Sequence, residues 1–199
     1  GTVLVKGDVS VSTIEHAMAA LYAKGVDNCI IEVNAPEFPI LDGSAKAYVE
    51  AINQVGLEEQ ELPVEYYIVK SRQEVISEDG RSRIVLLPDS KFGVDVHITF
   101  DSPVLSNQFA SLEDLKAFDS EVASCRTFVF VREVEQLLQN NLIKGGDLDN
   151  ALVIYDQPLE QEQIDRICDL MHVERKQGLE LGYINNAPII FPNEPARHK

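Results

Sequence analysis

Basic residues are scarce in this chain: 17 Lys and Arg stand against 33 Asp and Glu, a formal net charge of −16. Tracking nucleic acid or lying on an anionic membrane needs a broad cationic face, so both are excluded as broad-surface partners. A small anion held by a few local basic groups remains compatible. Cysteine is also sparse. Cys29, Cys125 and Cys168 are odd in number, far apart and without a C-x-x-C pair, which argues against a disulfide framework or a cysteine-rich structural zinc site. Cytosol is then the default compartment. No apolar run approaches the roughly 18 residues needed to cross a bilayer, and no basic-then-apolar leader opens the chain. Tryptophan is missing altogether, and that absence decides little.

What is present is ample apolar material, 45% of 199 residues, enough for one large domain or two of about half the length. The chain is organised around Val11-Ser12-Thr13-Ile14-Glu15-His16-Ala17-Met18-Ala19-Ala20-Leu21. Ser12 and Glu15 fit the S/T-x-x-E capping box, predicting a helix that begins near residue 12 or 13. Ile14, Ala17, Met18, Leu21 and Tyr22 recur at helical spacing as its buried stripe. Glu15 and His16 are about 100° apart around such a helix, with His16 toward the edge of the stripe. An acid beside an imidazole suits a hydrolytic zinc site, one residue holding the ion and the other handling the proton of its water. It also suits a cap beside a satisfied histidine.

Further along, Lys24-Gly25 ends the helix, Cys29 to Val33 reads as strand, and Pro36 and Pro39 demand a loop. Asp42-Gly43 makes a turn, and Ser44 caps a second helix through Ile52. Glu58 to Pro63, acidic and then proline-broken, is the best domain boundary. Strands follow at 66–69, 73–77, 82–87 and 93–100, with Glu78-Asp79-Gly80-Arg81 as a hairpin turn, so an antiparallel sheet is expected. His97 is a sheet residue. Residues 112–118 read as a short helix, 123–131 as strand, 132–140 as helix with Val134, Leu137 and Leu138 inward, and 151–155 as strand. The last three form a βαβ unit. A helix over 160–173, with Ile164, Ile167, Cys168 and Met171 on one face and His172 at the surface, precedes extended segments at 183–184 and 188–191.

Four places can carry chemistry: Glu15-His16, Thr127 on its strand, the break Lys144-Gly145-Gly146-Asp147, and His198-Lys199 at the chain's end, where frayed side chains are the ordinary case. Two histidines so far apart are not a zinc motif by spacing. The motifs together are more specific. Val11 to Leu21 resembles the zinc-binding helix of the UDP-3-O-acyl-N-acetylglucosamine deacetylase family of lipid A synthesis. Glu32-Val33-Asn34-Ala35-Pro36-Glu37, Pro39-Ile40-Leu41-Asp42-Gly43-Ser44-Ala45, Arg126-Thr127-Phe128, Lys144 to Ala151, and Arg197-His198-Lys199 resemble its further motifs in the same order. The helix near 160–173 resembles the longer form found in members fused to a 3-hydroxyacyl-carrier-protein dehydratase.

The resemblance implies an α+β fold of two similar two-layer α/β sandwich domains: a partial one over 1–60 and a partial one over 63–199. A βαβ insert at about 127–155 would form a passage for an acyl chain, lined by Phe128, Val134, Gly146 and Val153. It implies Zn2+ held by His16 and His198, Glu15 as general base, Thr127 as the hydroxyl that steadies the oxyanion, and Lys199 near the polar end of the substrate. Phe128 would pack on that substrate, a UDP-linked acylated N-acetylglucosamine. The family's third ligand, an Asp four residues after the second histidine, would fall at position 202. First strands and last helices of the family fold are likewise not in the sequence. The expectation is therefore a truncated chain that binds zinc weakly, deacetylates negligibly, and self-associates through open sheet edges. Other readings are a non-catalytic relative that binds acyl chains or nucleotide sugars, and a structural α+β domain in which Glu15 is only a cap.

Overall fold

The structure, a computed structural model, describes residues 1–140, 143 and 146–199. Helices and small sheets are interspersed, as an α+β chain requires. The elements are β1 Val3–Lys6, β2 Val9–Ser12, α1 Glu15–Ala23, α2 Lys46–Val55, β3 Gln73–Ile76, β4 Arg83–Leu86, β5 Val94–Thr99 and β6 Asn107–Leu112. After a 3-10 turn at Leu115–Ala117 come α3 Phe118–Glu121, β7 Phe128–Phe130, α4 Val131–Gln139, β8 Leu152–Tyr155, α5 Gln161–Leu170, β9 Gly182–Tyr183 and α6 Glu194–His198. Among the described residues no helix is long and apolar enough to cross a membrane.

The expected single antiparallel sheet is replaced by separate pieces: hairpins β1–β2, β3–β4 and β5–β6, and a sheet in the order β7-β8-β9. The turn at 78–81 forms as read, closed by Ser77 and Ser82, and His97 lies in β5. The βαβ unit also forms, with β7 and β8 parallel and in register from Phe128–Leu152 to Phe130–Ile154. Residues 29–33 and 66–69 are not strands. Apolar β-formers make a strand only where a neighbour completes the hydrogen-bond ladder, and among the described residues neither segment has one. Residue 112 closes β6 rather than opening a helix, and the expected strand 123–131 shrinks to 128–130. In place of an extended tail, the short helix α6 follows Asn193, with a proline in its first turn.

α1 begins later than the capping box predicts. Ser12 is spent in β2, where its N–H and hydroxyl both donate to the Pro36 carbonyl, and Ile14 caps the helix without a side-chain bond. Thr13 between them has φ 57, a left-handed conformation that a β-branched residue avoids at a cost of ~1–3 kcal/mol. Its hydroxyl donates to Glu37 (2.7 Å), which helps hold that bend. The buried face of α1 is Ile14, His16, Ala17 and Ala20, whereas Met18 and Tyr22 stand exposed. Ala20 packs with Ala45 and Val49 of the α2 region, Leu112, Phe118 and Ala123. Burying a side chain such as Phe118 is worth about 1.5–3 kcal/mol, and this contact seats α1 against β6 and α3.

A second core joins the βαβ unit to α5 through Val131, Val153, Tyr155, Ile164 and Cys168, and a third holds Leu105, Phe130 and Ile154. The hairpins β1–β2 and β3–β4 differ sharply. Val5, Val9, Val75 and Ile84 are all exposed.

Candidate active site

α1 and α6 meet over the residues that lead into β7. His16, the second residue of α1, is 4% exposed, and His198, the last residue of α6, stacks edge-on against it with ring centroids 5.4 Å apart. The His198 Nδ1 lies 3.0 Å from the Cys125 carbonyl. A carbonyl only accepts, so Nδ1 carries the proton and Nε2 keeps its lone pair. His16 Nδ1 is buried with no hydrogen-bond partner. An unpartnered buried nitrogen in a native protein calls for an explanation, and an absent ion or water is one.

Burial pushes the His198 imidazolium down to about 4, helped by the charges of His16 and Lys199 and opposed by the Cys125 hydrogen bond and Glu15. Burial also lowers His16, against the pull of Glu15 and Asp42. Both rings are therefore neutral near pH 7, the form in which imidazole ligates a metal.

Glu15 sits at the first position of α1, where the helix dipole favours a carboxylate. Its Oε2 accepts the Thr2 N–H at 2.8 Å, and the Gly1 ammonium is 4.0 Å from Oε1. Burial works to raise its pKa, but the N–H groups of Thr2 and Glu15 and the nearby positive charges outweigh it, so the carboxyl lies below its usual range. It is ionised at neutral pH, as a proton acceptor must be. Glu15 does not reach back to Ser12 as the capping box implied.

Thr127 stands directly before β7. Its N–H donates to the Gly43 carbonyl (2.8 Å) and its carbonyl accepts from Leu152 (2.7 Å), so its backbone is tied on both sides. Gly43 has φ +79, and a β-carbon there would lie 1.8 Å from the Asn150 carbonyl oxygen. Only glycine allows the Asp42-Gly43-Ser44 turn to come that close. Lys199 places its ammonium 5.2 Å from the Phe128 ring centroid.

Glu15, His16, Thr127, His198 and Lys199, spread from one end of the chain to the other, thus line a single cavity of about 550 Å³. Its apolar wall comes from α1 and the β5–β6 hairpin, with Tyr22, Val96 and Leu112 among the lining residues. Phe128 packs against Phe100 and Phe130 under Lys199. Val134 is buried on α4, Val153 lies in the core of the βαβ unit, and Gly146 bonds through its N–H to the Ile143 carbonyl. None of these last three lines the cavity, nor does Phe128. The expected chemistry at Lys144-Gly145 lies outside the described residues.

Two neutral imidazoles, one with an orphaned nitrogen, fit a divalent zinc ion as ligands. Among the described residues no third His, Cys, Asp or Glu joins them within ligating reach. The arrangement otherwise offers an ionised carboxylate beside one histidine, a hydroxyl across the cavity and a cation at its edge. Sequence reasoning missed Thr2 and, above all, Glu194, and read Gly43 as a turn residue without its contact to Thr127. The run Asn193-Glu194-Pro195, a capping residue with proline in the first turn, was the available signal for α6.

Comparison with known proteins agrees with these motifs. Residues 1–169 match the family model LpxC, UDP-3-O-acyl N-acetylglycosamine deacetylase. The whole chain is 69% identical to a bifunctional enzyme LpxC/FabZ of Porphyromonas gingivalis and 56% identical to one of Bacteroides thetaiotaomicron. In each case it covers 43% of the relative. Over 156 residues it is 42% identical to a UDP-3-O-acyl-N-acetylglucosamine deacetylase of Pseudomonas entomophila, covering 77% of this chain and 51% of that one. The chain spans less than half the length of the bifunctional relatives. It belongs to the UDP-3-O-acyl N-acetylglycosamine deacetylase family.

Proposed function

We propose, for this member of the deacetylase family, that the cavity belongs to a zinc-dependent amidohydrolase. It would remove the acetyl group of UDP-3-O-(3-hydroxyacyl)-N-acetylglucosamine, the committed step of lipid A biosynthesis. The observation that carries the reading is the convergence of Glu15, His16, Thr127, His198 and Lys199 on one cavity. The finer architecture belongs to the same proposal: two similar α/β sandwich domains divided near residue 60, with the βαβ unit inserted in the second. So do a cytoplasmic location and the acyl passage along Phe128, Val134, Gly146 and Val153.

His16 and His198 would hold Zn2+, which when bound polarises a carbonyl oxygen and makes water a stronger acid. The remaining work falls to the chain. Glu15, ionised and beside His16, takes a proton from the attacking water. Thr127 is fixed by its backbone bonds to Gly43 and Leu152. Its hydroxyl donates where negative charge develops on the acetamide oxygen, an arrangement that costs no reorganisation during reaction. Lys199 supplies a local positive charge for the diphosphate end of the substrate, against the net acidity of the chain.

The test is Glu15→Gln in a version of the protein that turns over substrate, with zinc content and far-UV circular dichroism measured beside it. Turnover should fall about 100-fold or more while zinc and fold are retained. A variant that keeps both zinc and full turnover would eliminate Glu15 as base and leave it a structural residue.

A further inference from the structure

We infer that Glu194 is a positioning residue of this site: through the Cys125–Arg126 peptide it sets the ring of His198 and the place of Thr127. The inference rests on the proposed zinc amidohydrolase reading for its meaning, but its geometry stands by itself.

Glu194 and His198 are four residues apart on α6 and so share one face. Both grip the same peptide group. The Arg126 N–H donates to Glu194 Oε1 at 2.9 Å, and the Cys125 carbonyl of that peptide faces His198 Nδ1 at 3.0 Å. A peptide group is rigid and planar, so turning its N–H turns its carbonyl. The carboxylate that fixes the N–H therefore fixes the acceptor that orients the ring, and with it the direction of the Nε2 lone pair. Thr127 is the next residue, so the same clamp places its hydroxyl.

The carboxylate is itself immobilised. Glu194 is 0% exposed and takes two further bonds from Arg126, from Nε (2.9 Å) to Oε1 and from Nη2 (3.3 Å) to Oε2. Ile190 N–H adds a bond to Oε2 at 2.7 Å. Arg126 Nη2 also donates to the Pro188 carbonyl at 2.8 Å, tying in the segment that leads to α6. Partners of this kind behind a ligating histidine fix its tautomer and orientation, and losing one typically costs about 10–100-fold in metal affinity.

A purely structural ion pair would look the same in a static picture, but it is replaceable. Buried pairs exchanged together for apolar residues of similar volume often leave stability unchanged. The experiment uses the metal-free form of a version of the protein that turns over substrate, unmodified, as Glu194→Asp, and as the double variant Arg126→Leu with Glu194→Leu. Asp keeps the charge beside the guanidinium but is one methylene too short to hold the Arg126 N–H as well.

Long-range 1H–15N correlation of the imidazoles reads the tautomer, and Co2+ titration followed by d–d absorption reads metal affinity. The unmodified chain should show His198 with the proton on Nδ1 alone. Folded Glu194→Asp should show a mixture of Nδ1–H and Nε2–H forms and bind Co2+ about 10-fold or more weakly. If Glu194→Asp unfolds, the double variant should give the same result. A folded variant that keeps the single Nδ1–H form and undiminished Co2+ affinity overturns the inference. The ring readout needs no metal, so an unmodified chain that takes up no Co2+ sinks the zinc reading alone, and the tautomer then decides this one.

Discussion

The histidine of α1 rides on nine residues, and that of α6 on five. α1 is rich in alanine, carries its acid at the N-terminal end, and docks through Ala20 with α2, β6 and α3. Its His16 needs no tether, and Nδ1 is left without one. α6 is far too short to be stable alone. It is fastened from outside: Glu194 to Arg126, Asn193 to the Phe109 carbonyl, and Arg197 to Glu121 and over the Phe191 ring. His198 is fastened with it, at the Cys125 carbonyl. An element ordered by its own packing can present an unsatisfied donor or acceptor to a ligand. An element without intrinsic order must be bonded residue by residue, and those bonds decide how its functional ring faces.

The largest test of this contrast is to remove one anchor from each helix. Glu194→Ala leaves the Arg126 charge buried and unpaired, and urea unfolding should show a loss of about 3–5 kcal/mol. His16→Ala breaks no bond and should cost about 1 kcal/mol. Equal losses would mean that the two helices are held alike.

Acid comes next. His198 titrates at about 4 in the folded chain and near 6.5 unfolded. Because the folded value is the lower one, the unfolded chain takes up the proton first. The stability from the neutral ring is complete above pH 6.5 and drains as pH falls from 6.5 toward 4, by about 3 kcal/mol in the metal-free chain. Unfolding midpoints at pH 7 and pH 4.5 measure it, with His198→Gln as the control that should flatten the dependence. His16, also lowered, contributes in the same direction. A stability that held constant through this window in the unmodified chain would show that His198 is not buried in the folded molecule.

Lys199 gives the smallest effect. Its ammonium lies over Phe128 at the edge of the cavity, and such exposed cation–π contacts are worth about 0.5–1 kcal/mol. Lys199→Met should change the free energy of unfolding by no more than that, while raising the KM for a UDP-linked substrate. A large stability loss would make Lys199 one more fastening of α6 and not a substrate contact.

The helices α2, α4 and α5, the hairpin turn at Asp79-Gly80 and the βαβ unit were legible because their signals are local: apolar spacing, a Ser44 cap, a turn dipeptide. Cys29 to Val33 shows the limit of such signals. Its side chains have strand preferences, yet Ile30 is 92% exposed and the ladder never forms. The same limit explains Ser12 and Glu15. The capping box is a correct local option, but β2 claims the Ser12 backbone and Thr2 claims the Glu15 carboxylate, and long-range bonds outcompete a frayed first turn.

By itself, the sequence determined which chemistry this chain can hold: a carboxylate beside a histidine at a helix start, a threonine before a strand, a histidine and lysine together, and a −16 charge against which a local cation counts. Their order was enough to place the family. Only the tertiary structure decided that these groups share one cavity, that Gly43 and Leu152 pin Thr127, and that His198 points as it does. The physical reason is distance along the chain. Glu194 meets Arg126 across 68 residues and His198 meets Cys125 across 73, and no periodicity or propensity carries information over such a span. Burial and hydrogen-bond satisfaction in the folded molecule do.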